Sequence, residues 1–374
     1  MESAIATLGK TLTTNSAGAP LRIAQVAPLF ESVPPPLYGG TERVVAYLTD
    51  ALVDLGHDVT LFASGDSVTR ARLRSCRARA LRLDDSPLKS DLASHLSMLH
   101  DVRRCRDDFD VIHFHTDILH LPLFEATVAR TLTTLHGRLD LPDLHDVFRR
   151  WSAYPLVSIS EAQRGPIPDA NWLATVAHGL PLDLYSEGGR GGGGYLAFVG
   201  RVAPEKRPDR AIRIAQRAGL QIKIAAKVDA ADARYFNEVI EPLIVEPQVE
   251  FLGELSEPEK RMLLQGARAL MFPIDWPEPF GLVMIEAMAC GTPVIAWRRG
   301  SVPEVIDDGV SGFIVDSEDA AVEACARLDE IDRRSVRAAF ERRYSARLMA
   351  QRYLALYRGL ATGAKTAQES TSMQ

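Results

Sequence analysis

From Leu21 onward, short runs rich in Val, Ile, Leu and Phe alternate with longer stretches whose apolar residues recur at helical spacing. A strand that is apolar on both sides needs cover on both sides, so this alternation confines the chain to a parallel sheet with helices on each face. The pattern breaks once, at Ser186 to Gly194, which reads SEGGRGGGG and is too flexible and too poor in apolar side chains to pack. At 374 residues the chain also exceeds the size at which one core stops growing, about 250 to 300 residues. Two doubly wound, Rossmann-like α/β domains facing across a cleft are the expected architecture.

The expected strands of the first unit are Arg22 to Ala27, Asp58 to Ala63, Asp110 to His115, Thr131 to Leu135, Leu156 to Ile159 and Leu173 to Val176. Those of the second are Tyr195 to Gly200, Gln221 to Ala225, Val249 to Leu252, Ala269 to Phe272, Pro293 to Trp297 and Gly312 to Val315. The first helix is marked by the stripe Val44, Tyr47, Leu48, Ala51, Leu52 and Leu55, with Gly56 as its stop. The divisions that follow are a flexible leader at 1–20, a first domain at 21–185, a linker at 186–194, a second domain at 195–344 and a flexible tail at 361–374. The helix-forming stretch Arg333 to Leu360 precedes that tail.

Composition removes several classes of function. A net charge of -6 gives no whole-chain field to draw nucleic acid. Cys76, Cys105, Cys290 and Cys325 are scattered without a CxxC pair, which fits neither a disulfide scaffold nor a zinc site and suits a reducing cytoplasm. The first twenty residues lack the basic and apolar segments of a secretory signal, and no run reaches the roughly 18 apolar residues of a membrane span. The arginines of Thr69 to Leu83 (Arg70, Arg72, Arg74, Arg77, Arg79, Arg82) form a stripe that suits weak peripheral contact with an anionic surface, or a solvated basic face.

The most informative segment is Phe272 to Pro293, FPIDWPEPFGLVMIEAMACGTP. Pro277 and Pro279 impose an extended turn, and Gly281 permits a tight backbone where a helix over Leu282 to Ala289 begins. Its free amides and positive dipole end suit an anion. Glu278 in the turn and Glu286 two turns into the helix would repel that anion but suit hydroxyl groups, since a carboxylate only accepts hydrogen bonds. Glu286 is embedded among Val283, Met284, Ile285, Ala287 and Met288, where a solvated glutamate would be exceptional. One ligand carrying both phosphate and polyol meets both demands.

Phe198 to Arg207, FVGRVAPEKR, places Arg201 and Lys206 at the carboxyl edge of a strand, where they can clamp a diphosphate. Ala27 to Arg43 replaces a dinucleotide GxGxxG turn with a proline-rich loop ending in Tyr38-Gly39-Gly40-Thr41. Its glycines let amides approach a ligand, and Thr41 can also serve as a plain helix cap. His136 closes the fourth strand beside Gly137 and would face the cleft. His113, His115 and Asp117 share a strand end but lack a distant fourth ligand, so they make a poor metal set. Asp108-Phe109-Asp110 looks like a DxD motif but falls before a strand, at the edge away from the cleft.

In this order the segments resemble the family-4 retaining glycosyltransferases of the GT-B fold, from Leu21 to about Leu360. The resemblance is most specific at Glu278-x7-Glu286 and the following GSVPEVIDDGVSGFIV. It implies that Glu286 holds the ribose hydroxyls and Glu278 the transferred sugar, with the amides of Phe280, Gly281, Leu282 and Val283 on sugar and phosphates. Arg201 and Lys206 would bind the diphosphate, His136 would sit beside the donor sugar, and Gly39 and Gly40 would close over it. It further implies a helix at about 345–360 packing back on the first domain, and a hexosyltransferase that retains configuration by a front-face mechanism. No metal or other cofactor is expected. The donor favoured is UDP-glucose, the acceptor a small molecule or glycan, and the opening YGGTERVVAYLTDALVDLGHDVTLFASGDS resembles a subgroup acting on small acceptors. The glycine-rich linker and long leader depart from the family pattern. Two other readings are a sugar-nucleotide epimerase on the same plan and a non-catalytic protein that binds nucleotide sugars.

Overall fold

The computed structural model describes residues 19–188 and 193–372. Most of the expected leader and the centre of the expected linker lie outside the described residues. The first sheet contains β1 (Arg22–Val26), β2 (Asp58–Ser64), β3 (Arg72–Arg77), β4 (Val111–Phe114), β5 (Thr131–Thr134), β6 (Leu156–Ser158) and β7 (Trp172–Thr175). Its helices are α1 (Gly40–Asp54), α2 (Asp91–Arg104) and α3 (Pro142–Arg150). The second sheet contains β8 (Tyr195–Arg201), β9 (Gln221–Lys227), β10 (Val249–Gly253), β11 (Ala269–Phe272), β12 (Val294–Trp297) and β13 (Gly312–Val315). Its helices are α4 (Pro208–Ala218), α5 (Ala233–Tyr235), α6 (Glu257–Gly266), α7 (Leu282–Ala289), α8 (Val302–Val305), α9 (Glu318–Ala326) and α10 (Arg333–Arg343), and α11 (Ala346–Ser372) follows them in the chain.

Every strand pair is parallel, in the orders β3-β2-β1-β4-β5-β6-β7 and β10-β9-β8-β11-β12-β13. The order reverses beside β1 in one sheet and beside β8 in the other. Crossovers leave such a sheet in opposite directions at that point and open a crevice at the carboxyl ends of the strands, where ligands of these folds bind. Two such sheets with their crevices facing each other set the position of everything below.

β3 is a seventh strand where only a basic stripe was expected. RLRSCR lacks the continuous apolar run of a buried strand because it pairs on one side only, with β2, at the edge of the sheet. Arginines along the stripe meet carboxylates: Arg70 with Asp54, Arg72 with Asp58, Arg77 with Asp84, Arg79 with Asp85 and Arg82 with Glu31. This pairing neutralises much of the positive face proposed for membrane contact. At the amino ends of the central strands β1 and β4, Asp110 holds the Arg22 amide and guanidinium, each at 2.9 Å, which keeps the DxD segment away from the cleft.

The chain crosses between domains twice, and the two crossings run side by side. Leu180 donates to Tyr344 and accepts from Ala346, both at 2.8 Å. α11 then lies beneath the first sheet, with Met349, Ala350, Tyr353, Leu354 and Tyr357 buried against Ile23, Leu48, Val111 and Val157. Each large side chain among these contributes about 1.5–3 kcal/mol by leaving water. The helix continues to Ser372, past the expected end at 360, so the stretch read as a frayed tail is helical over most of its length. Its Ala, Lys and Gln residues are good helix formers that extend a helix already anchored by packing.

Candidate active site

β8 delivers Arg201 to the crevice in register with Lys227 of β9. The chain then turns through Pro204–Lys206, and Arg207 adopts a left-handed conformation (φ 56°) as α4 starts. This turn aims Lys206 at the Pro277–Pro279 loop, where its ammonium lies 4.8 Å from the centroid of the Trp276 ring and pairs with Glu278. The Trp276 indole also donates to Glu278 Oε2 at 2.9 Å. Arg201 lies 3.0 Å from Glu205, 3.7 Å from Asp229 and 3.6 Å from Asp232, so both cations face carboxylates.

Two glycines shape the loop that carries Glu278. Gly281 has φ 77° and caps α7; a Cβ there would come within 2.9 Å of the Phe272 ring. Gly300 has φ 52°, and a Cβ there would stand 2.4 Å from the backbone nitrogen and oxygen of Glu278. Ser301 completes the support: its amide donates to the Glu278 carbonyl at 3.0 Å and its hydroxyl to the Phe280 carbonyl at 2.8 Å. The first turn of α7, at Leu282 and Val283, therefore presents amides without intrahelical partners to the crevice.

Glu286 is 3% exposed, and Lys260 of α6 reaches it at 2.6 Å. Lys260 is also 3.0 Å from Glu257, which lies 2.5 Å from Arg43 of α1 in the other domain. The Tyr185 hydroxyl joins Glu257 as well. Glu286 thus ends a charged chain that crosses the domain boundary. Sequence reasoning missed Lys260, Glu257 and Arg43, because their proximity comes from helices meeting rather than from a local motif.

The first domain supplies the facing wall. α1 is preceded by Gly39 as its cap, with no side-chain bond, so Thr41 does not have the capping role open to it in the sequence. A Cβ on Gly39 would lie 2.9 Å from the Pro35 ring, and one on Gly40 would lie 3.5 Å from Leu282 of the second domain. His136, at the end of β5, bonds His115 at 2.8 Å and stacks on His178 at 5.2 Å. Burial drives the His115 and His178 imidazoles well below their usual range and His136 to about 3, so all three are neutral near pH 7. His113 uses both ring nitrogens, at 2.7 Å each, on Tyr357 and Thr134 and turns away from the metal role considered for it. Among the described residues, no group of three or more His, Cys, Asp or Glu is arranged to hold a metal ion.

One cavity of about 790 Å³ joins these walls. Gly39, Gly40, His136, Arg201, Lys206, Glu278, Phe280, Gly281, Leu282, Val283 and Glu286 all line it. Of the histidines, His95 and His178 escaped the sequence reading although both line the cavity.

Residues 186–342 match the model of glycosyl transferases group 1, and residues 38–164 match that of glycosyltransferase family 4. The chain belongs to the family-4 glycosyltransferases. Its paired sheets form the GT-B fold of that family. The D-inositol 3-phosphate glycosyltransferase of Mycolicibacterium paratuberculosis is 36% identical over 156 residues, 41% of this family-4 chain. That match spans only 33% of the length of the curated relative. A glycosyltransferase involved in avilamycin A biosynthesis superposes with a TM-score of 0.71 at 25% identity, covering 92% of this chain and 99% of that one. Anabaena HepE, solved with UDP and glucose, superposes with a TM-score of 0.70 at 17% identity over 91% of this chain and 100% of its own.

Proposed function

We propose that this family-4 glycosyltransferase moves a hexose, with glucose favoured, from a UDP-sugar to a hydroxyl of a small molecule or glycan, with retention of configuration. The observation that carries the reading is the convergence of Arg201, Lys206, the amino end of α7 and Glu286 on one cavity. A diphosphate seated there would displace the carboxylates that now face Arg201 and draw Lys206 from Glu278, while Glu286 accepts from ribose hydroxyls and Glu278 from the sugar.

As the bond from the anomeric carbon to the diphosphate oxygen breaks, negative charge grows on that oxygen. Preorganised donors aimed at such charge are among the largest catalytic contributions. Arg201, Lys206 and the amides of Leu282 and Val283 supply them in this reading, without a metal ion. The departing phosphate oxygen takes the acceptor hydroxyl proton, and the acceptor oxygen bonds to the anomeric carbon on the face just vacated. His136 is the neutral neighbour of the sugar. The proposed location is the cytoplasm.

The test is transfer from UDP-glucose and its relatives to a panel of small hydroxylated acceptors, with and without a chelator, and with the product's anomeric configuration read by nuclear magnetic resonance. Chelator-insensitive release of UDP with a retained linkage is the expected result. Failure of every sugar nucleotide to bind at millimolar concentration would overturn the proposal.

A further inference from the structure

Behind His136 lies a buried chain of hydrogen bonds that the reaction described above does not use. His136 Nε2 is 2.8 Å from His115 Nδ1, and His115 Nε2 is 2.8 Å from Gln25 Oε1. Gln25 Nε2 donates to the Tyr357 hydroxyl of α11 at 3.0 Å. Gln25 is 0% exposed and is the one polar side chain facing the interior from β1, so its amide has a structural reason to find partners on both ends. At the far end of the chain, His136 Nδ1 is buried and has no partner.

The protons in this chain are not independent. Gln25 turns its amide nitrogen to Tyr357, so its oxygen faces His115, and an oxygen there can only accept. His115 Nε2 must then carry the hydrogen. In a neutral imidazole the other nitrogen is a bare acceptor, so His115 Nδ1 accepts, and the hydrogen between the two rings belongs to His136 Nε2. The same rule leaves His136 Nδ1 as a lone pair. Tyr357 closes the logic on the other side, because its hydroxyl receives from Gln25 and is free to donate to His113 Nδ1 at 2.7 Å.

We propose that Gln25 and His115 are positioning residues that hold His136 in its Nε2–H tautomer and leave Nδ1 as the acceptor for a hydroxyl of the donor sugar. The proposal rests on the sugar-transfer reading for the identity of that hydroxyl, but not for the tautomer. It gives α11 a role at the reaction centre: Tyr357 orients the Gln25 amide, and the orientation passes through two rings to the cavity wall. Turning the Gln25 amide by half a turn would reverse every hydrogen in the chain and present Nδ1–H to the sugar, so its orientation decides which kind of group His136 offers.

The decisive measurement is nitrogen magnetic resonance of the full chain with 15N-labelled histidine, with the His136 signals assigned by their loss in a His136→Gln variant. The expected spectrum has a protonated Nε2 and an unprotonated Nδ1 for His136; the reverse assignment overturns the proposal. Donor kinetics form the second arm. His115→Leu is expected to lower kcat/KM for the donor roughly tenfold. His115→Gln is expected to recover most of the loss, because its carbonyl accepts from His136 and its amide donates to Gln25. A folded His115→Leu protein with unchanged kcat/KM, or a His115→Gln protein no better than His115→Leu, also overturns it. If His115→Leu does not fold, Gln25→Leu takes its place, with the same loss expected. The resonance arm needs no turnover, so a protein that transfers no sugar can still carry the tautomer, and an active transferase with the reversed tautomer sinks the relay alone.

Discussion

Lys206 and Glu278, 72 residues apart in sequence, meet as an ion pair beside the Trp276 ring at the floor of the cleft. Neither end of the pair is more than 15% exposed, so each group is largely desolvated. Replacing Lys206 with alanine is expected to lower kcat by at least tenfold, the usual cost of losing one group aimed at developing charge. Rapid-quench measurement of UDP release decides it; unchanged turnover would remove Lys206 from the diphosphate.

Glu286→Ala is expected to weaken donor binding by about 10- to 100-fold, since hydrogen bonds to a charged group contribute about 1.5–3 kcal/mol. Lys260 keeps Glu257 as a partner at 3.0 Å, so the variant should fold. Titration calorimetry with the nucleotide sugar reads the effect, and wild-type affinity would show that Glu286 serves only the ion chain.

Gly300→Ala tests the support of the Glu278 loop. A left-handed backbone costs a residue with a Cβ about 1–2 kcal/mol, and here the added carbon also meets the Glu278 backbone at 2.4 Å. Both the melting temperature and kcat should fall. A variant with wild-type turnover would mean that the position of Glu278 is not critical.

Glu42, in the first turn of α1, is 5% exposed, and burial lifts its carboxyl to about 7. The folded protein holds this proton up to near neutrality, whereas the unfolded chain releases it around 4.5. Stability from this group is therefore complete below pH 4.5 and is lost as pH rises toward 7. Glu42→Gln should be more stable than the parent at pH 8, by at most about 3 kcal/mol, with the difference gone at pH 4.5. Denaturant unfolding at both values measures it, and equal curves at pH 8 would contradict the sign.

Both sheets were largely legible in the sequence, because a parallel strand covered on both sides has to be written as an unbroken apolar run, as in ALMF of β11 and VIAW of β12. β3 was not, since an edge strand with solvent beside it can be built from alternating arginines. The site divides the same way. Glu278, Gly281 and Glu286 announce themselves through prolines, a glycine and an apolar setting that are local in sequence. Lys260 and Arg43 sit on ordinary amphipathic helices and gain meaning only where α6 and α1 approach Glu257. Gln25 could have been found: a glutamine inside RIAQV is a buried polar side chain in need of partners.

The passage of α11 beneath the first sheet also fixes an order of events during synthesis. Ile23, Val111 and Val157 emerge from the ribosome long before Met349, Tyr353 and Tyr357, so one face of the early sheet stays wet until α11 is released. Translation that stops near residue 340 would leave the first sheet with an oily, unfinished underside. Such a fragment should be captured by chaperones or proteases rather than persist as a smaller working protein.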